Sequence, residues 1–268
     1  MQIFQSLTTA ALFLAFTNAT PHMPITPTWI PRSKSIRTTI IAGVTVPDTP
    51  LVRAAQSYAH AHNDDMTYNH VMRSWLFGAL IISHNHLLAH TIDPETHAIA
   101  VLLHDLGIDN TGALISPDRR FEVDGAIAAR NFLHTAIQNG TAPQDDWDEH
   151  RIQLVWDTIA LHTDPSIFRY KQPVVNFTAT GIFADFRGPL SDFSGTLTWD
   201  EYNRVKDAFP RLDLGMGFRR WACGFARSKP ATTYDNWMME FGIRYVENYT
   251  EESKGHLAID IIDTALPN

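Results

Sequence analysis

The segment HAIAVLLHDLGIDN, residues 97 to 110, sets an imidazole and a carboxylate side by side, His104 and Asp105, at the end of a strongly apolar run. Beside Leu102, Leu103 and Leu106 an uncompensated polar group costs roughly 2 to 7 kcal/mol, and a charge costs more. A bound cation would cancel that cost, and so would the hydrogen bonds of an ordinary core histidine. Three more polar side chains stand in apolar surroundings. His70 opens the greasy stretch in TYNHVMRSWLFG, and Asp185 sits in TATGIFADFRG four residues after Gly181. His162 follows Ile159 and Val155 by three and seven residues, so it projects from the inward stripe of its helix. Zn²⁺, Mn²⁺ and Fe²⁺ all accept such a mixture of imidazole and carboxylate. Cys223 is the only cysteine, which excludes an internal disulfide and a thiolate cage and leaves any metal to His, Asp and Glu.

Helices must position these groups. Met72, Trp75, Leu76, Ala79 and Leu80 recur at three and four, as one buried stripe requires. Pro94 and Glu95 open another helix, whose stripe of Ile99, Leu102, Leu103 and Leu106 runs until Gly107 stops it. Residues 121–138 and 145–163 repeat the pattern, the second behind Asp145 and Asp146, which suit a helix N-terminus. Residues 107–119 and 186–200 read as loops. Strand-like alternation is scarce, so the fold class is all-α, an irregular helical bundle. One helical domain with a C-terminal helical extension is expected over 50–268, behind a proline-rich arm at 20–49.

Residues 1–19 hold an apolar run from Leu7 to Phe16, then small residues at Thr17 and Ala19, and are read as a secretory signal cleaved after Ala19. A short buried N-terminal helix is the competing account, and retention would mean a cytoplasmic protein. The run is too short for a permanent membrane span. Acceptor tripeptides at Asn139, Asn176 and Asn248 fit a secreted glycoprotein. A formal charge of −8 argues against nucleic acid as a partner and favours small neutral or cationic molecules. A homo-oligomer stays open.

The order His70, then His104-Asp105, then a distant Asp185 resembles the HD-domain metal-dependent hydrolase superfamily, whose pattern is H…HD…D. NHVMRSWLFG resembles its first ligand helix, AVLLHDLG the second, RRFEVDGAIAARNFL the helix that follows, and TIALHTD a helix with an extra histidine. The FE…GA segment, LHTD and the late KPATTYDNW are most similar to the fungal cyanamide hydratase branch, which carries the resemblance from about Tyr58 to roughly Gly242. It implies one divalent ion, zinc ahead of iron or manganese, bound by His70, His104, Asp105 and Asp185, with His162 near an open coordination position. It also implies a lyase that adds metal-activated water to cyanamide and yields urea. His162 would protonate the nitrile nitrogen, and Asp105 would accept the water's proton.

Arg73 is expected to pair with a carboxylate near the site, a surface ion pair being the alternative. Glu122 is expected to reach the ligands or Arg73, or else to serve as a helix-start carboxylate. Lys229, Thr232, Thr233 and Tyr234 are placed at the pocket rim. A phosphohydrolase is the competing activity. Ile108, Asp109 and Asn110 stand where many such members carry a lysine, although Arg119, Arg120 and Lys229 could serve a phosphate. A secreted protein that keeps the metal only for structure, or one recruited to another hydration or rearrangement step, is a third reading. His60, His62, His84, His86 and His90 are read as helix-surface or capping residues, and His97 as a possible support for the ligands.

Overall fold

The computed structural model describes residues 36–192 and 195–265, so the expected signal at 1–19 lies outside the described residues. The protein is an all-α irregular bundle. Its helices are α1 (Pro50–His62), α2 (Asp65–His84), α3 (His86–Thr91), α4 (Pro94–Leu102), α5 (Phe121–Gln138), α6 (Glu149–Leu161), α7 (Pro165–Phe168) and α8 (Pro173–Arg187). After them come α9 (Trp199–Ala208), α10 (Leu214–Ser228), α11 (Met239–Tyr245), α12 (Tyr249–Glu252) and α13 (Ala258–Ala265). Side-chain oxygens of Thr49, Asp64, Asp93 and Asp148 cap the starts of α1, α2, α4 and α6, satisfying amides that would otherwise have no partner. No helix among the described residues is long and apolar enough to cross a membrane.

The proline-rich arm holds one element that its composition hides. Thr38–Ile41 (β1) and Val44–Pro47 (β2) pair antiparallel, and Val44 and Val46 are buried in the main core while Thr45 faces out. Ala42 and Gly43, both at positive φ, make the tight turn. Two left-handed residues in a row make a type I′ turn, which matches the strand twist, and Ala-Gly is a weak signal for that geometry.

α2 and α8 cross almost backbone to backbone. A Cβ at Gly181 would lie 2.7 Å from Gly78 Cα, 2.8 Å from Gly78 N and 3.0 Å from Ser74 O. One turn from this crossing stand His70 and Arg73 on α2 and Asp185 on α8, so the contact sets their register. His97 of α4 fills the notch over Gly78, with Nδ1 2.9 Å from Thr178 Oγ1. Burial pushes the His97 imidazole down to about 4. Gly107 holds another close approach, because a Cβ there would fall 1.8 Å from Phe121 O at the start of α5.

α4 stops at Leu102, short of the Gly107 end that its stripe suggests. In a continuing helix Val101 O would accept from the amide of Asp105. Here it accepts from His104 N at 3.3 Å and from the His104 ring Nδ1 at 2.7 Å. The ring has taken the carbonyl that the next turn needs. α6 ends the same way, with His162 Nδ1 donating to Ile159 O at 2.7 Å. Of the three acceptor tripeptides, Asn139 and Asn248 lie exposed at turns, whereas Asn176 lies inside α8 with its Thr178 fully buried.

Two consequences can be measured. Gly181→Ala adds helix propensity, yet it forces a methyl into backbone, and overpacking costs about 1–3 kcal/mol. The variant should melt below the parent in a thermal scan; an equal or higher melting temperature would contradict the close crossing. For His97 the unfolded chain binds a proton near 6.5 and the folded chain near 4. Above about 6.5 neither state is charged. Between about 6.5 and 4 only the unfolded state gains the proton, so stability should fall with pH across that window, by on the order of 3 kcal/mol from this residue. Urea titrations should show a shallower pH slope for His97→Gln than for the parent.

Candidate metal centre

Three buried side chains, His70, His104 and Asp105, place one ligand atom each within 4.8 Å of one another. His70 Nε2 lies 3.4 Å from His104 Nε2 and 3.7 Å from Asp105 Oδ2, and His104 Nε2 lies 3.3 Å from that same oxygen. For metal–ligand bonds of about 2.0–2.1 Å, two corners of a tetrahedron stand about 3.4 Å apart. The triangle has the size of a tetrahedral face.

The tautomers make the stronger case. His104 Nδ1 faces a carbonyl, Val101 O, and His162 Nδ1 faces another, Ile159 O. His70 Nδ1 lies 2.7 Å from Asp185 Oδ2. None of these oxygens can donate, so each Nδ1 carries a proton, and the neutral rings of His104 and His162 turn a bare Nε2 lone pair inward. His162 Nε2 is 4.0 Å from Asp105 Oδ1. Burial lowers His104 to about 3 and His162 to about 4, so both are neutral at physiological pH, and burial raises Asp105. Lone pairs pointed at one another and at a carboxylate, away from water, form a site made of acceptors. A cation fits it.

Asp185 stands behind the triangle. Arg73, fully buried one turn after His70, donates from Nε to Oδ1 and from Nη2 to Oδ2 of Asp185, each at 2.7 Å. Burial alone would raise the Asp185 carboxyl, but hydrogen bonds from His70 and Arg73 hold it well below the usual range. Arg211 donates to its main-chain carbonyl as well. The expected fourth ligand therefore lies on the far ring nitrogen of His70 and orients it. Of the two accounts of Arg73, the buried carboxylate pair is the one found.

Other expectations shift. Glu122 is buried, but it bonds Arg120 and Thr163, at 3.0 and 2.6 Å, and has no bond to Arg73 or to the cluster. Lys229 is buried away from any rim, its Nζ 2.8 Å from Arg119 O, 3.2 Å from Ser116 O and 3.1 Å from Asp124 Oδ2. Thr233 and Tyr234 are buried too, with Thr233 bonded to the Tyr249 hydroxyl, and the Thr232 hydroxyl donates to Lys229 O. His62 holds Asp109 at 3.0 Å, and His84 holds Glu201 at 3.2 Å. Sequence reasoning missed Phe186 and Phe121, whose rings abut His70 and His162 at 5.0 and 5.7 Å. Phe186 belongs to the last turn of α8, not to the loop expected from 186 onward.

No protein-family model and no curated protein compared with the chain matches it.

Removing a group that orients a metal-binding histidine typically costs about 10- to 100-fold in affinity. Arg73→Met should therefore weaken divalent-cation binding at this cluster by about that factor, measured by competition with a chromophoric chelator on a sample shown to be folded. Unchanged affinity would remove the orienting role of the Arg73–Asp185 pair.

Proposed function

We propose that the protein is a metal-dependent hydratase of the HD type, similar to the fungal cyanamide hydratases, which adds water to the carbon of cyanamide or another small nitrile. The convergence of the bare Nε2 atoms of His104 and His162, together with His70 Nε2, on Asp105 carries this reading, and the His70 and His104-Asp105 part of the H…HD…D order supports it, Asp185 standing behind His70. His70, His104 and Asp105 would hold the ion, zinc first. When bound, such an ion supplies Lewis acidity and brings the pKa of a coordinated water to roughly 7.

The chain's own part is proton handling. Asp105 divides its oxygens, Oδ2 toward the two nitrogens at 3.3 and 3.7 Å and Oδ1 toward His162 Nε2 at 4.0 Å. That last gap is longer than a hydrogen bond, so a proton crosses it through an interposed water or substrate atom. With its proton on Nδ1, His162 begins as an acceptor at Nε2. It protonates the nitrile nitrogen only after receiving a proton there, either from Asp105 Oδ1 or from the attacking water. Oxygen joins carbon, one proton reaches nitrogen, and the second shifts from oxygen to nitrogen to leave urea from cyanamide, or an amide from a carbon nitrile.

For the phosphohydrolase alternative, the cations that the sequence offered near the site are already paired. Arg73 is committed to Asp185, Arg120 to Glu122, and Arg119 and Lys229 to Asp124. Cations already neutralised by carboxylates have little left for a phosphate.

Asp105→Asn should lose both bound zinc and cyanamide turnover. His162→Ala should keep its zinc and lose turnover by about 100-fold or more, as loss of a positioned proton-transfer group does. Elemental analysis with a urea assay reads both, next to a panel of phosphate monoesters and diesters. The reading fails if zinc and turnover survive both changes, or if phosphate esters react and nitriles do not.

A further inference from the structure

Aromatic rings run unbroken from one side of the metal centre to the other. Phe186 touches His70, Phe218 touches Phe186 at 5.3 Å, and Trp221 touches Phe218 at 4.5 Å. Phe121 closes the series, 5.5 Å from Trp221 and 5.7 Å from His162. Trp237 backs it, 5.0 Å from Phe218 and 5.9 Å from Trp221, with a buried indole N–H that has no partner. Phe186 is 44% exposed while the His70 it touches is 4% exposed, so this wall reaches from solvent to the buried cluster. The rings come from α5, α8, α10 and the segment before α11.

We infer that this wall is the substrate-recognition surface and that the substrate carries a neutral aryl group beside its nitrile. Flat rings offer faces and edges to another ring, which is the contact aromatic pairs favour. Cyanamide has no apolar body to place there. An aryl nitrile such as benzonitrile would stack on Phe218 and Trp221 with its nitrile carbon toward Asp105. Water then adds as before: oxygen bonds to the nitrile carbon, both protons end on nitrogen, and benzamide forms without any oxidant or co-reactant. The unpaired Trp237 N–H is a donor that the product carbonyl or the nitrile nitrogen would satisfy. The reaction in this inference rests on the hydration reading, whereas the binding surface does not.

Calorimetric titration of the zinc-loaded and metal-free chain with benzamide and with urea, the two products, tests it. Benzamide should bind at least about tenfold more tightly than urea in both forms, as stacking and apolar burial predict. Phe218→Ala should cut that affinity ratio about fivefold, and Trp221→Leu provides a second reading should the first variant fold poorly. Equal affinities, or a ratio unmoved in folded variants of both residues, overturn the inference. Cyanamide hydration without benzamide preference would remove the aryl surface and leave the hydratase. Benzamide preference without turnover of benzonitrile or cyanamide would leave the surface and remove the hydratase.

Discussion

Each imidazole at the centre spends its Nδ1 proton on an acceptor that belongs to the fold. For His104 and His162 that acceptor is a carbonyl three residues back, at the end of α4 and of α6. The last carbonyls of a helix have no intrahelical partner, so a histidine just past the end can claim one without breaking a bond inside the helix. The helix terminus thereby sets the tautomer as well as the position. His70 lies within α2, where the main-chain carbonyls are already engaged, and it takes the carboxylate of Asp185 instead. The inward facing of the three Nε2 atoms follows from these three commitments.

The Asp185–Arg73 pair is a costly way to orient a ring. Burying two charges carries a desolvation penalty that an ion pair often only just offsets, so stability alone gives little reason to keep it. Its geometry has another use. Two parallel bonds at 2.7 Å fix the carboxylate plane, and that plane fixes the His70 ring. The glycine crossing of α2 and α8 allows the pair to form, since larger residues at 78 and 181 would hold the helices apart. Small residues in the fold and charged residues at the site thus serve one alignment.

The helical class was legible from periodicity, because apolar stripes at three and four leave little else to bury. His70, His104 and Asp105 were legible as polar intrusions into those stripes. Asp185 was legible as buried but not in its role, since a carboxylate that holds a ligand and one that is a ligand look alike in a chain. Arg73 distinguishes them, and its partner lies 112 positions away. The ends of α4 and α6 were blurred for a related reason: a ring claiming a carbonyl is a side-chain event, invisible to hydrophobic spacing. Lys229 went astray because its charge suggested the pocket rim, whereas Asp124 at the start of α5 gives it a buried counter-ion, and Glu122 takes the second of its two readings, a carboxylate in the first turn of α5, held there by Arg120.

The aromatic wall and the ligand triangle share an anchor. Besides Asp185, Arg73 donates from Nη1 to Phe209 O and Pro210 O, and Asn69 donates to Pro210 O at 2.9 Å. Those carbonyls begin the turn that leads into α10, where Leu212 and Asp213 adopt positive φ, a conformation that costs a side-chain-bearing residue on the order of 1 kcal/mol or more. Such a turn persists only if its surroundings hold it. The arginine that orients His70 through Asp185 also helps hold the turn that delivers Phe218 and Trp221 beside the site. The setting of the His70 ring and the placement of Phe218 and Trp221 are therefore coupled through one buried guanidinium, and the C-terminal helices belong to the cluster as fully as the segments that carry His70 and His104-Asp105 do.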